Sequence, residues 1–237
     1  MVDCSYRRWG SASSADAGAG AGLRGTRALA YSGGMREPTM PQDAPPALRR
    51  YVALLLRWNR AVNLVSPRDV PVLWERHIAD SLQLASLWQR RPERAIDLGS
   101  GAGFPGLVLA IASGVPFDLV EQDRGKAAFL REAVRVTGAP ADVVAAKIEN
   151  AALRPAPLVT ARALAPLPRL LAYAAPLLAP DGECLFLKGR GVEAEIAEAR
   201  REWTMVVEQI PSCSGGDGVV LRVSRIARRC VSLRGGK

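Results

Sequence analysis

The stretch Asp97-Leu98-Gly99-Ser100-Gly101-Ala102-Gly103-Phe104-Pro105-Gly106 limits the folds open to this chain more than any other. It follows a short apolar run, 94–98, and leads into an apolar helical stretch, 105–113, with Pro105 suited to a first helical turn. Glycines at this spacing let the backbone take positive φ and approach a ligand closely. Such a loop, at the carboxyl end of a strand, is where open α/β sheets bind nucleotides.

The surrounding pattern agrees. Strand-like runs at 94–98, 116–121, 142–146, 157–161 and 183–188 alternate with helical stretches at 105–113, 124–137 and 167–179. This predicts an α/β fold with a Rossmann-like, doubly wound parallel sheet. A helix over 191–202 leads to strands near 203–210 and 218–226. Turn-rich Ser212–Gly218 joins these two as an antiparallel hairpin at one sheet edge. Upstream, 45–62 reads as a helix. Leu48, Tyr51, Val52, Leu55, Trp58 and Val62 fall within an arc of about 120°, opposite Arg49, Arg50, Arg57 and Arg60. Asn63–Pro67 breaks it, and a second helical region runs from about Val70 to Trp88. The expected organisation is a 1–40 extension, a helical region 41–92, an α/β domain 93–226 and a basic tail 227–237. Residues 1–40 are low in complexity and lack apolar periodicity, so disorder is expected there. A transit peptide and a reading frame that truly starts at Met35 or Met40 are the alternatives for this segment.

Charge is concentrated at the ends. The net charge is +9, but residues 1–40 carry +2 and residues 222–237 carry +6, leaving +1 for the rest. A polyanion partner must therefore be argued from local clusters. No apolar run approaches the roughly 20 residues of a membrane span. The cysteines, Cys4, Cys184, Cys213 and Cys230, form no CxxC pair, and His77 is the one histidine, so neither a zinc site nor any other metal site is expected. Reduced thiols and a cytoplasmic, monomeric protein are the expectation.

Two ligands compete for the glycine loop. Gly101–Gly106 matches the dinucleotide GxGxxG, a weak signal by itself. The longer frame Asp97-x-Gly99-x-Gly101-x-Gly103 suits S-adenosylmethionine better. That cofactor lacks a pyrophosphate and offers an amino acid portion and a sulfonium to an acidic loop entry. Either needs an acid at the end of the second strand for ribose hydroxyls; Glu121, 24 residues after Asp97, fits, with Asp123 as second choice. Lys147-Ile148-Glu149 stands where an adenine would lie. Arg162 in Thr160-Ala161-Arg162-Ala163, and Lys188 in Leu187-Lys188-Gly189-Arg190, sit at the tips of the fourth and fifth strands.

What is missing narrows the chemistry. No Asn/Asp-Pro-Pro-aromatic loop and no Pro-Cys follow the fourth strand, and there is no GxSxG elbow. Exocyclic-amine methylation, cysteine-assisted carbon methylation and serine hydrolysis thus lose support. A ring nitrogen such as guanine N7 has a free lone pair at neutral pH and needs no general base.

From about Leu48 to Ile226 the chain resembles the RsmG (GidB) family of bacterial methyltransferases of small-subunit ribosomal RNA. The resemblance rests on Arg57-Trp58-Asn59-Arg60-Ala61-Val62-Asn63-Leu64, on Arg76-His77-Ile78-Ala79-Asp80-Ser81-Leu82, on Asp97–Gly106 and on Thr160–Ala163, with Phe186-Leu187-Lys188-Gly189 in support. It implies a seven-stranded methyltransferase fold with an N-terminal helical extension. It further implies S-adenosylmethionine as cofactor and N7 methylation of a guanosine in 16S rRNA, free or in the small ribosomal subunit. Asp97, Gly99, Ser100, Gly101, Gly103, Phe104, Glu121, Ile148, Glu149 and Arg162 are the expected cofactor residues, with Arg162 also catalytic. Arg57, Arg60, Arg76, His77 and Lys188 are the expected RNA-facing residues. A small-molecule methyltransferase and a non-catalytic RNA-binding assembly factor are the alternatives.

Overall fold

A computed structural model describes residues 38–229; the expectations for most of the extension and for Cys230 and the end of the basic tail lie outside them. Seven strands form one sheet in the order β3-β2-β1-β4-β5-β7-β6. They are β1 Ala95–Leu98, β2 Phe117–Val120, β3 Ala141–Val144, β4 Ala156–Arg162, β5 Leu178–Lys188, β6 Trp203–Pro211 and β7 Val219–Arg228. β1 to β5 pair in parallel, and the β6–β7 hairpin adds antiparallel to β5. The order reverses at β1, so the carboxyl ends of β1 and β4 flank the crevice where such sheets take ligands.

The helices are α1 Pro46–Trp58, α2 Asp80–Ser86, α3 Gly106–Ser113, α4 Arg124–Thr137, α5 Leu167–Ala174 and α6 Val192–Glu202. Alternating side chains of the strands feed two apolar layers. Ala95, Leu158 and Leu185 pack with Leu48, Tyr51, Leu55, Ile78, Leu107 and Phe129 on one face. Ile96, Val159, Cys184 and Phe186 pack with Leu167, Leu171, Ile196 and Trp203 on the other. Residues 41–92 thus share one core with the sheet.

Three boundaries differ from expectation. α1 stops at Trp58, not Val62, because the Asn59 side chain takes over the chain's hydrogen bonds. Its Oδ1 accepts from the backbone N–H of Leu64 and Val65, both at 2.9 Å, and its Nδ2 donates to the Val65 carbonyl at 3.1 Å. The second helical region is three pieces: a 3-10 turn Val70–Val72, a π-helical stretch Trp74–Ala79, and α2. The helix expected to reach 179 gives way after Ala174 to a 3-10 turn containing Pro176. β5 then begins at Leu178, with a register shift against β4 between Ala156 and Leu158.

Candidate active site

The loop leaving β1 turns on glycines at positive φ: +66° at Gly99, +56° at Gly101 and +99° at Gly103. A Cβ at Gly99 would lie 2.7 Å from Leu164 Cδ1, so the segment after β4 crosses tightly over the loop. Glu121, at the tip of β2, braces it from below. One carboxylate oxygen accepts from the Gly101 N–H and the other from the Asp123 N–H, both at 2.8 Å. Each oxygen keeps a lone pair for a further donor. From the opposite side the Tyr51 hydroxyl of α1 donates to the Ala102 carbonyl at 2.5 Å.

Asp97 lies behind the loop and is fully buried. Its Oδ1 accepts from Thr160 Oγ1 at 2.7 Å, while Oδ2 has no hydrogen-bond partner. Burial pushes its carboxyl up to about 6. Asp97 lies behind the hollow on the loop's outer side and is not among its lining residues. Ser100, Gly103 and Phe104 are likewise buried and form the loop's inner side.

On the outer side is a hollow of about 470 Å³, lined by Gly99, Gly101, Glu121, Ile148, Glu149 and Arg162. The four crossover tips meet here as the topology requires. Lys126, Arg169 and Tyr173, which belong to none of the sequence motifs, complete the same wall. Arg169 lies over the Tyr173 ring at 5.3 Å and its Nε donates to the Tyr173 hydroxyl at 2.6 Å. Their i,i+4 spacing on α5 was the one signal available.

A second hollow, about 740 Å³, adjoins the first. Arg76, Asp80, Lys188, Arg190 and the turn Ser212–Gly218 line it, and Arg162 and Ala163 belong to both. The Arg162 guanidinium is 5.8 Å from the Phe104 ring centroid, and its buried Nη1 has no hydrogen-bond partner. Burial draws its pKa below the usual arginine range, opposed chiefly by the Asp80 carboxylate. The next residue, Ala163, holds φ +46°, a strained setting for a residue with a Cβ. Arg162 thus brings a buried donor to the junction of the two hollows, beside a strained backbone.

Comparison with known proteins decides the family. The model of the GidB family, rRNA small subunit methyltransferase G, matches residues 45–220. The chain belongs to the GidB family. Ribosomal RNA small subunit methyltransferase G of Gluconobacter oxydans is 50% identical over 190 residues, covering 80% of this chain and 98% of that protein. Its counterpart in Rhodospirillum centenum is 53% identical over 182 residues, covering 77% and 84%. Among solved structures, the ribosomal protein L11 methylase of Lactobacillus delbrueckii subsp. bulgaricus shares the fold. Its TM-score is 0.52 at 17% identity, over 63% of this chain and 78% of that one.

Within this GidB chain, the expected RNA-facing residues fall into two groups. Arg57, Arg60 and Arg76 are exposed. Arg76 pairs with Asp69 at 3.3 Å at the rim of the second hollow. Arg49 and Arg50, on the same face of α1, instead donate to backbone carbonyls of Ala44 and Val136. Lys188 lines the second hollow with its charge already paired. Its side chain is 9% exposed, with Nζ 2.6 Å from Glu195 and 2.9 Å from the Ala165 carbonyl. Its ammonium holds α6 to the segment after β4.

His77 sits beneath the glycine loop. It is 8% exposed and stacks on Phe104, ring centroids 5.0 Å apart. Neither ring nitrogen has a hydrogen bond, and Asp69 is 3.8 Å away. Burial, then the nearby Arg162, lowers its pKa from 6.5 to about 4. It is a neutral packing residue under the loop. Between these values the unfolded chain binds a proton that the folded chain refuses, so acidification below 6.5 removes stability. The stability advantage of wild type over His77→Asn should shrink by about 3 kcal/mol between pH 7 and pH 4. Asp97, raised by folding, shifts stability the opposite way but equally in both proteins, and cancels. Denaturant titrations of the two across that range test this; a pH-independent difference would place His77 in a polar setting.

Proposed function

We propose that this protein transfers a methyl group from S-adenosylmethionine to N7 of a guanosine in 16S ribosomal RNA, presented free or within the small ribosomal subunit in the cytoplasm. The observation that carries this reading is the meeting of two hollows at Arg162 in a chain of this family. The first hollow fits the cofactor. Gly99 leaves no room for a side chain, Glu121 retains acceptor capacity for ribose hydroxyls, and Ile148 with Tyr173 offers apolar surface to an adenine.

The cofactor, when bound, supplies an electrophilic methyl group. The protein's own task is alignment and electrostatics. Arg162 would hold an anionic or carbonyl oxygen at the junction through its unpaired Nη1. Phe104, wedged against His77 and Tyr51, keeps the guanidinium in place. Guanine N7 carries a free lone pair, so no residue need remove a proton to make it a nucleophile. Among the described residues no cluster of His, Cys, Asp and Glu could hold a metal, and no helix is long and apolar enough to cross a membrane.

Nucleoside mass spectrometry of 16S rRNA from cells lacking the gene tests the proposal. One 7-methylguanosine should disappear and return on complementation. An unchanged modification profile would overturn it.

A further inference from the structure

The turn between β6 and β7 is held by residues far away in sequence. Asp80, at the start of α2, is 7% exposed, and both its carboxylate oxygens accept from this turn. Oδ1 accepts from the Ser212 hydroxyl and, at 3.1 Å, from the Ser214 N–H; Oδ2 accepts from the Ser214 hydroxyl at 2.9 Å. Gln83, one helical turn on, donates to the Pro211 carbonyl at 2.7 Å and accepts from the Cys213 N–H at 2.8 Å. Beyond the clamp the chain runs Gly215-Gly216-Asp217-Gly218. Gly215 and Gly216 have positive φ and open space where a Cβ would be.

Burying a carboxylate is costly unless donors surround it. A neutral side chain would tie a turn down at lower cost, so the charge needs a reason. The clamped turn forms a wall of the second hollow, which also contains Arg76 and Arg162. Three glycines in a seven-residue turn would otherwise sample many shapes, and a ligand would have to order them on binding.

We infer that Asp80 is a positioning residue for the RNA substrate: through Ser212 and Ser214 it fixes the Ser212–Gly218 turn as a preformed wall of the substrate hollow. The inference rests on the RNA-methyltransferase reading and names a determinant of its substrate side. Asp80 lines the second hollow and not the cofactor hollow, and its carboxylate also faces Arg162, so the serine variants, which keep that carboxylate, isolate the turn.

The test uses the full chain, purified unmethylated small subunits and S-adenosylmethionine. The double variant Ser212→Ala/Ser214→Ala removes both hydroxyl donors while leaving the buried carboxylate and Arg162 in place. Its KM for subunits should rise about tenfold, the scale of a lost charge-assisted hydrogen bond. Its kcat and its affinity for S-adenosylmethionine by calorimetry should stay near wild type, while its melting temperature should fall by several degrees because the buried carboxylate loses two donors. Ser214→Thr, which keeps a hydroxyl, should retain the wild-type KM, and Asp80→Asn should move KM in the same direction as the double variant. An unchanged KM in the double variant overturns the inference, as does a loss of cofactor affinity alongside the rise in KM. A wild-type protein that binds cofactor but does not methylate subunits overturns the functional proposal itself, and this inference with it.

Discussion

Arg162→Ala should lower methyl transfer to small subunits by about 10²–10³-fold, the range seen when one positioned donor is removed from an active site. The fold should survive. Arg162 Nη1 satisfies no group of the protein, so truncation strips no internal hydrogen bond from a buried acceptor. The main loss is the contact with Phe104, at 5.8 Å worth about 0.5–1 kcal/mol. Arg162→Lys should recover little, because an ammonium lacks the planar fork and places its charge differently. Single-turnover rates with saturating cofactor, alongside thermal melts, make the comparison. Near-normal turnover in the alanine variant would take Arg162 out of the mechanism.

Gly106→Ala should abolish measurable cofactor binding. Gly106 opens α3 directly against Asp97, and a Cβ there would lie 2.4 Å from Asp97 Cβ and 2.7 Å from Oδ2. Asp97 has no exposed surface and is tied to Thr160, so it cannot step aside. Overpacking of this kind costs about 1–3 kcal/mol in stability. The helix would relieve the clash by shifting away from β1 and carrying the glycine loop with it. Calorimetric titration with S-adenosylmethionine and a melting curve separate the two effects. Wild-type affinity in the variant would show that the loop's position is not set by this contact.

The glycine loop was legible because its residue types report directly on backbone angles: glycine spacing foretold the run of positive φ. The parallel order followed from strand and helix alternation, and the terminal hairpin from Ser212–Gly218. Burial was not legible in the same way. The sheet alone places Thr160 beside Asp97 on the neighbouring strand. The partners of His77 and Lys188, Phe104 and Glu195, are likewise visible only in the folded chain. Asp80 and Ser214 are separated by 134 residues, and no local pattern announces that bond. Arg169 and Tyr173 escaped notice because α5 reads first as an amphipathic helix packing on the sheet.

The hydroxyl of Tyr51 on the Ala102 carbonyl has a practical corollary for protein engineering. A leading helix brought in from another protein must supply a hydroxyl at position 51 to hold the methyl-donor loop. A chimera joined near residue 92 whose leading half has no tyrosine at position 51 would leave the catalytic loop without this support. Swaps of the exposed arginines alone leave that joint untouched and are the safer route to altered RNA preference.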